Sequence, residues 1–235
     1  MNIKRNTAAL AAALCLCEAV SCGKSDPGSD SNVKPADTSA SDETTSVSGE
    51  SSSSDWLGNR ISPDEDAEEY DLGEYYISPD GIKLYFEPEE FPAELMLTLE
   101  KYFTAYANRD YTSYSSCVYP SYFDEMNKFL EKDYSYDLST SFSNQCDTLK
   151  VQIGGDFTVT RIKLEPYEGD LTSFFESPSS CFGKDYYTEV SAEVDKFYDA
   201  MFFIIAKDSE GEEHSLVSEY EIVFAEKDGK YYIFG

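Results

Sequence analysis

The chain has 235 residues, with 46 Asp or Glu against 18 Lys or Arg, a formal net charge of -28 and a pI near 4.1. Such an acidic molecule repels phosphate backbones and anionic lipid headgroups, which excludes nucleic acid as an expected partner. Cations, basic peptides and neutral glycans stay open, although the solubility of a surface protein accounts for the acidity without any of them.

Lys4 and Arg5 precede a short apolar run from Thr7 to Cys17, the order of a secretory signal. The run is too short to span a bilayer, which takes roughly 20 apolar residues. Small residues Ala19 and Ser21 then lead to a cysteine, and Ala19-Val20-Ser21-Cys22 resembles a bacterial lipobox. It has Ala where Leu is usual at the third position before the Cys, and Glu18 interrupts the end of the apolar run. The resemblance implies that residues 1–21 are a lipoprotein signal peptide. It also implies that the Cys22 thiol receives a diacylglycerol and becomes the N-terminus of a chain held at the cell membrane, facing the extracytoplasmic side. Acyl chains contribute roughly 0.8 kcal/mol per buried methylene, so two or three hold a protein firmly. An ordinary secretory signal with an incidental Cys22 is the competing reading.

From Cys22 to residue 69 the chain reads as a disordered linker. Gly23 to Ser54 is Ser, Asp, Thr, Gly and Pro with almost nothing to bury, too little to offset the entropy of ordering. The acidic stretch Pro63 to Glu69 continues it and lacks the alternating Asp/Asn spacing and central Gly of a calcium loop.

Residues 70–235 are rich in Tyr, Phe and periodic apolar positions, a length suited to one domain with a sizeable core. Two short strands flank Pro79-Asp80-Gly81, a tripeptide that presets a tight reversal. Pro92 then opens a helix in which Leu95, Leu99, Tyr102, Phe103 and Tyr106 recur at helical spacing to about Ala107. Asp110 is placed to cap a second, short helix, and Pro120 starts a third with Tyr122, Met126, Phe129 and Leu130 on one face. In a fourth, Leu138, Phe142, Cys146, Leu149 and Ile153 form the apolar stripe and Gly154-Gly155 stops it. Beyond Asp156 the period becomes two, and the slip from Phe157 and Val159 to Ile162 and Leu164 predicts a bulge near Thr160-Arg161. Tyr198 to Ala206, apolar on both faces, reads as a central strand. Ser215 to Ala225 and Tyr231 to Phe234 complete a meander turned by Asp208 to Gly211 and by Asp228-Gly229. Helices first and antiparallel strands last predict an α+β fold, with the N-terminal helices on one face of a curved antiparallel sheet.

Tyr102 to Tyr111, with Asn108-Arg109-Asp110, and the terminal Glu226 to Ile233, with Asp228-Gly229-Lys230-Tyr231-Tyr232, look like the opening helix and closing hairpin of nuclear-transport-factor-2-like domains, over about residues 93–235. In the isomerases and dehydratases of that kind, a carboxylate or His acts as base and a Tyr hydroxyl polarises a carbonyl inside a cone between helix and sheet. Here Tyr102, Tyr106, Tyr198 and Tyr220 are the inward candidates, while Asp199 and Glu221 fall on the alternate strand face. No base and donor pair assembles from the sequence.

Other chemistry is sparse. His214, the only histidine, stands beside Glu212 and Glu213 at a turn, a poor place for the buried base of a hydrolase. One His and no cysteine pair at ligand spacing disfavour zinc, and no Gly-rich loop opens a helix to cradle a phosphate, so neither metal nor cofactor is expected. Cys117, Cys146 and Cys181 are three, so at most one disulfide forms within a monomer, and Cys146 on a helical stripe reads as a packed thiol. The expected function is therefore non-catalytic binding of a small ligand or an envelope partner by a lipid-anchored protein. A glycan-binding surface module using exposed Tyr rings, and a cone-type isomerase or dehydratase, are the alternatives.

Overall fold

The computed structural model describes residues 56–64 and 72–235; Cys22, the signal-like segment, most of the proposed linker and the acidic run 65–71 lie outside the described residues. The chain order is β1 (Tyr76–Ile77), β2 (Lys83–Tyr85), α1 (Ala93–Asn108), α2 (Tyr111–Cys117), α3 (Pro120–Tyr134), α4 (Leu138–Ile153) and β3 (Phe157–Pro166). Then come α5 (Leu171–Phe182), α6 (Tyr186–Ser191), β4 (Lys196–Asp208), β5 (Glu213–Lys227) and β6 (Lys230–Phe234). The six strands form one sheet in sequence order, antiparallel except where β2 runs parallel to β3. The fold is α+β.

Local chemistry explains most of these boundaries. Asp110 caps α2 by accepting the Ser113 N–H, and Pro120 is the first residue of α3, where its missing N–H costs nothing. Asp137 caps α4, taking the Thr140 N–H at 2.7 Å, and Gly154 ends it at φ 93°, a left-handed position that a side chain would strain. Asp137→Ala is expected to destabilise the domain by about 1 kcal/mol, lowering Tm by roughly 2–4 °C in a calorimetric scan. An unchanged Tm would mean that packing alone holds the end of α4.

The predicted bulge lies in β3, where the register with β4 shifts between Val159 and Arg161. Its effect is to turn Val159 to the same side as Ile162 and Leu164, so all three are buried. Leu84, Ile162 and Ile204 follow one another across β2, β3 and β4, and Phe202 lies beside Leu164 on that face. Against it α1 sets Leu95, Met96, Leu99 and Phe103, with the Phe103 and Phe202 rings 5.3 Å apart. Tyr102, Tyr106, Tyr114 and Phe142 then join α1, α2 and α4 through ring contacts of 4.8–5.5 Å.

Three features go beyond the sequence reading. Helices α5 and α6 stand between β3 and β4, so the helices do not all precede the meander. They cover the opposite face of the sheet: Phe175, fully buried, meets Phe197 of β4 and Phe234 of β6, with centroids 5.8 and 4.9 Å away. Secondly, the sheet is not wholly antiparallel, because the chain from β2 to β3 crosses over through four helices and returns in the same direction. Finally, residues 56–64, assigned by sequence to the linker, touch the domain. Ile61 bridges Tyr75, Arg60 pairs with Glu74 and Glu87, and Trp56 and Leu57 pack on the core, because this short stretch carries apolar groups that the Ser-rich tract lacks.

Candidate functional site

The apolar face of α1 points to the sheet, which places Leu97, Glu100, Lys101 and Thr104 along its outer flank. Glu100 is nevertheless only 3 % exposed, because the β1–β2 turn folds over it. That turn is held by its own backbone: Ser78 N–H bonds the Ile82 carbonyl, and Gly81, at φ 83°, returns its N–H to the Ser78 carbonyl. The Ser78 hydroxyl accepts the Ile82 N–H and donates to Glu100 Oε1 at 2.9 Å. Glu100 Oε2 is buried with no hydrogen-bond partner.

Glu100 is one of the residues lining an open groove of about 390 Å³ between the β1–β2 turn, α1 and the start of α2. Pro79 and Asp80 line one side, Leu97, Lys101 and Thr104 another, and Asp110 closes the α2 end. Burial pushes the Glu100 carboxyl up to about 7; the Ser78 hydrogen bond works against that rise and the charge of Asp80 adds to it. At neutral pH this buried carboxyl is thus poised between its two protonation states, with Oε2 unpartnered.

Nothing local in the sequence marks Glu100, which in the helical pattern is one more charged residue on an outer flank. Its burial depends on a turn 20 residues upstream. The candidates the sequence did single out are placed differently. Cys22 lies outside the described residues. Tyr102 and Tyr106 are spent inside the helical aromatic cluster, their hydroxyls 3.3 Å apart and that of Tyr106 donating to Gln145. Tyr198 donates to Glu226 Oε2 at 2.8 Å, and Tyr220 sets its ring edge against Phe202. Asp199 and Glu221 lie on the other face, as expected, where burial raises both carboxyls and Asp199 raises Glu221 further. Asp199 Oδ2 accepts the Gly169 N–H at 3.2 Å, an approach a Cβ at Gly169 would obstruct. Between α1 and the sheet, Leu95, Met96, Leu99 and Phe103 belong to one buried cluster with Leu84, Ile162, Phe202 and Ile204.

His214 stands at the start of β5, half-buried, with Nε2 2.8 Å from Asp208 Oδ2. Together with Glu212 it makes the one group among the described residues whose possible metal-ligating atoms lie within 4.8 Å of one another. Asp208 Oδ1 already accepts the N–H groups of Glu210 and Glu212, so these contacts also serve the hairpin turn. Cys146 is buried on the stripe of α4, as its spacing predicts; Cys117 is buried too and Cys181 half-buried, and these three form no disulfide with one another. Compared with protein-family models, curated proteins and solved structures, the chain matches none.

Proposed function

We propose that this chain is a lipid-anchored extracytoplasmic binding protein, tethered through Cys22 and the Ser-rich segment, whose domain binds its ligand in the groove on α1. The buried Glu100 carboxyl carries the binding half of this reading. A buried polar oxygen without a partner costs about 1–3 kcal/mol, and a ligand that supplies the missing contact recovers it. The sequence around Cys22 supports the anchor, and no helix among the described residues is long and apolar enough to cross a membrane in its place. A long helix on an antiparallel meander also suits a variant of the nuclear-transport-factor-2-like fold, one in which the cone is filled and the ligand site has moved to the outside of its first helix.

The anchor is tested by Cys22→Ala. Wild-type protein is expected in the detergent phase after Triton X-114 partition and the variant in the aqueous phase; retention of the variant with the membrane would sink the lipid tether. A second reading, glycan stacking, draws on Tyr134, the last residue of α3, and Tyr136 just after it, whose rings lie 5.9 Å apart, with Tyr134 37 % exposed. It predicts that Tyr134→Ala abolishes retention on a glycan array.

A further inference from the structure

We propose that the groove on α1 binds an aliphatic primary ammonium, seated on Glu100 Oε2 and flanked by Asp80 and Asp110. The inference deepens the binding reading above and rests on its assignment of the groove, but not on the lipid anchor.

Three observations lead to this chemistry. The unsatisfied group is an acceptor: Oε1 of Glu100 is taken by the Ser78 hydroxyl, and Oε2 is buried beside the groove residues with no hydrogen-bond partner. An ammonium has three N–H donors and no acceptor, and so suits a carboxylate oxygen of this kind. The surrounding charge has the matching sign, since Asp80, Glu100 and Asp110 line the groove against a single base, Lys101. The acids are also too far apart for a metal ion, because they do not form a group with ligating atoms within 4.8 Å among the described residues. From Leu97 to Asn108 the groove follows α1 for roughly 16 Å, long enough for an extended alkyl chain with amines spaced along it. Leu97, Ala105 and Pro79 supply the apolar contact such a chain needs. A free polyamine and the lysine side chains of a partner peptide share this chemistry.

Occupation is coupled to a proton. Glu100, bonded to Ser78 and raised by Asp80 from the turn, and sharing the groove with Lys101 of its own helix and Asp110 at the α2 end, is about half protonated near pH 7. An ammonium selects the ionised form, so binding below that pH releases a proton from Glu100. Affinity is expected to be about tenfold higher at pH 8 than at pH 6, the ratio of ionised Glu100 between the two.

The test is isothermal titration of the full purified chain with spermidine and with a tri-lysine peptide. Wild type, Glu100→Gln and Glu165→Gln, the last removing an exposed carboxylate outside the groove, are compared at pH 6 and pH 8. The expected result is binding by wild type and by Glu165→Gln with the tenfold pH effect, and binding at least tenfold weaker and flat with pH for Glu100→Gln. Preference for spermidine assigns a free amine and preference for the peptide assigns a lysine-bearing partner; either supports the proposal. Equal binding by Glu100→Gln and wild type would show only the pull of the net acidic surface and overturn it. So would the absence of binding by either probe while Glu100→Gln still changes the pH dependence of stability, an outcome that leaves the groove but removes the ammonium. Failure of the Cys22→Ala partition test, in contrast, removes the anchor and leaves this assignment standing.

Discussion

Phe175→Ala is expected to destabilise the domain by about 3–5 kcal/mol, the range for deleting a fully buried ring, with a fall in Tm of roughly 10 °C or more. Phe175 is the point at which α5, α6 and the sheet meet. Its ring lies 4.9 Å from Phe234, 5.5 Å from Tyr187, 5.8 Å from Phe197 and 6.0 Å from Tyr186, and none of its surface reaches solvent. Truncation would leave a cavity walled by these four rings and that of Phe174, 5.1 Å away, which are too bulky to close over it without leaving their own contacts. Tyr186 is anchored further by its hydroxyl, 2.9 Å from that of Ser121 at the start of α3. Urea unfolding measures the loss. A change below 1 kcal/mol would mean that α5 and α6 do not close this face of the sheet.

Glu100→Gln is expected to alter the pH dependence of stability more than any other single carboxylate change in the described domain. The folded carboxyl titrates at about 7, against an ordinary value of 4.5. The native state therefore holds this proton more tightly than the unfolded chain does, and stability falls as pH rises. Below about 4.5 both states are protonated and no penalty exists; between 4.5 and 7 the penalty grows; above 7 the fold carries a buried charge in full. The shift corresponds to about 3 kcal/mol at pH 8. Glutamine keeps an acceptor for the Ser78 hydroxyl and cannot ionise, so its stability relative to wild type should rise by about that amount between pH 4.5 and pH 8. A constant offset from its amide N–H groups does not affect this slope. Urea melts of both proteins across that range give the answer, and parallel curves would mean that Glu100 is solvated in the folded chain.

The two predictions concern sites of different legibility. Helix α1 and its neighbours could be read because their signals are local: Asp110 and Pro120 set starts, Gly154 sets a stop, and apolar spacing names the buried face. Helix α5 was harder to see, since Ser-rich composition and an internal Pro178 speak against a helix, although Asp170 caps its start and Gly183 ends it in the left-handed region. What stabilises α5 is Phe175 against two strands that follow it in sequence, a contact no window of neighbouring residues contains. The parallel pairing of β2 with β3 is likewise a matter of how four helices return the chain to the sheet.

By itself the sequence determined the acidic character, the polar tract after Cys22, the α+β class, the caps and turns, and the bulge in β3, because each follows from composition or from residues a few positions apart. Only the tertiary structure decided that residues 56–64 dock on the domain, that Leu95, Met96, Leu99 and Phe103 pack directly on the sheet beneath α1, and that Glu100 is buried. The physical reason is the same in each case. Burial and unsatisfied hydrogen bonding belong to the surface that closes over a residue, and for Glu100 that surface is a turn from a different part of the chain.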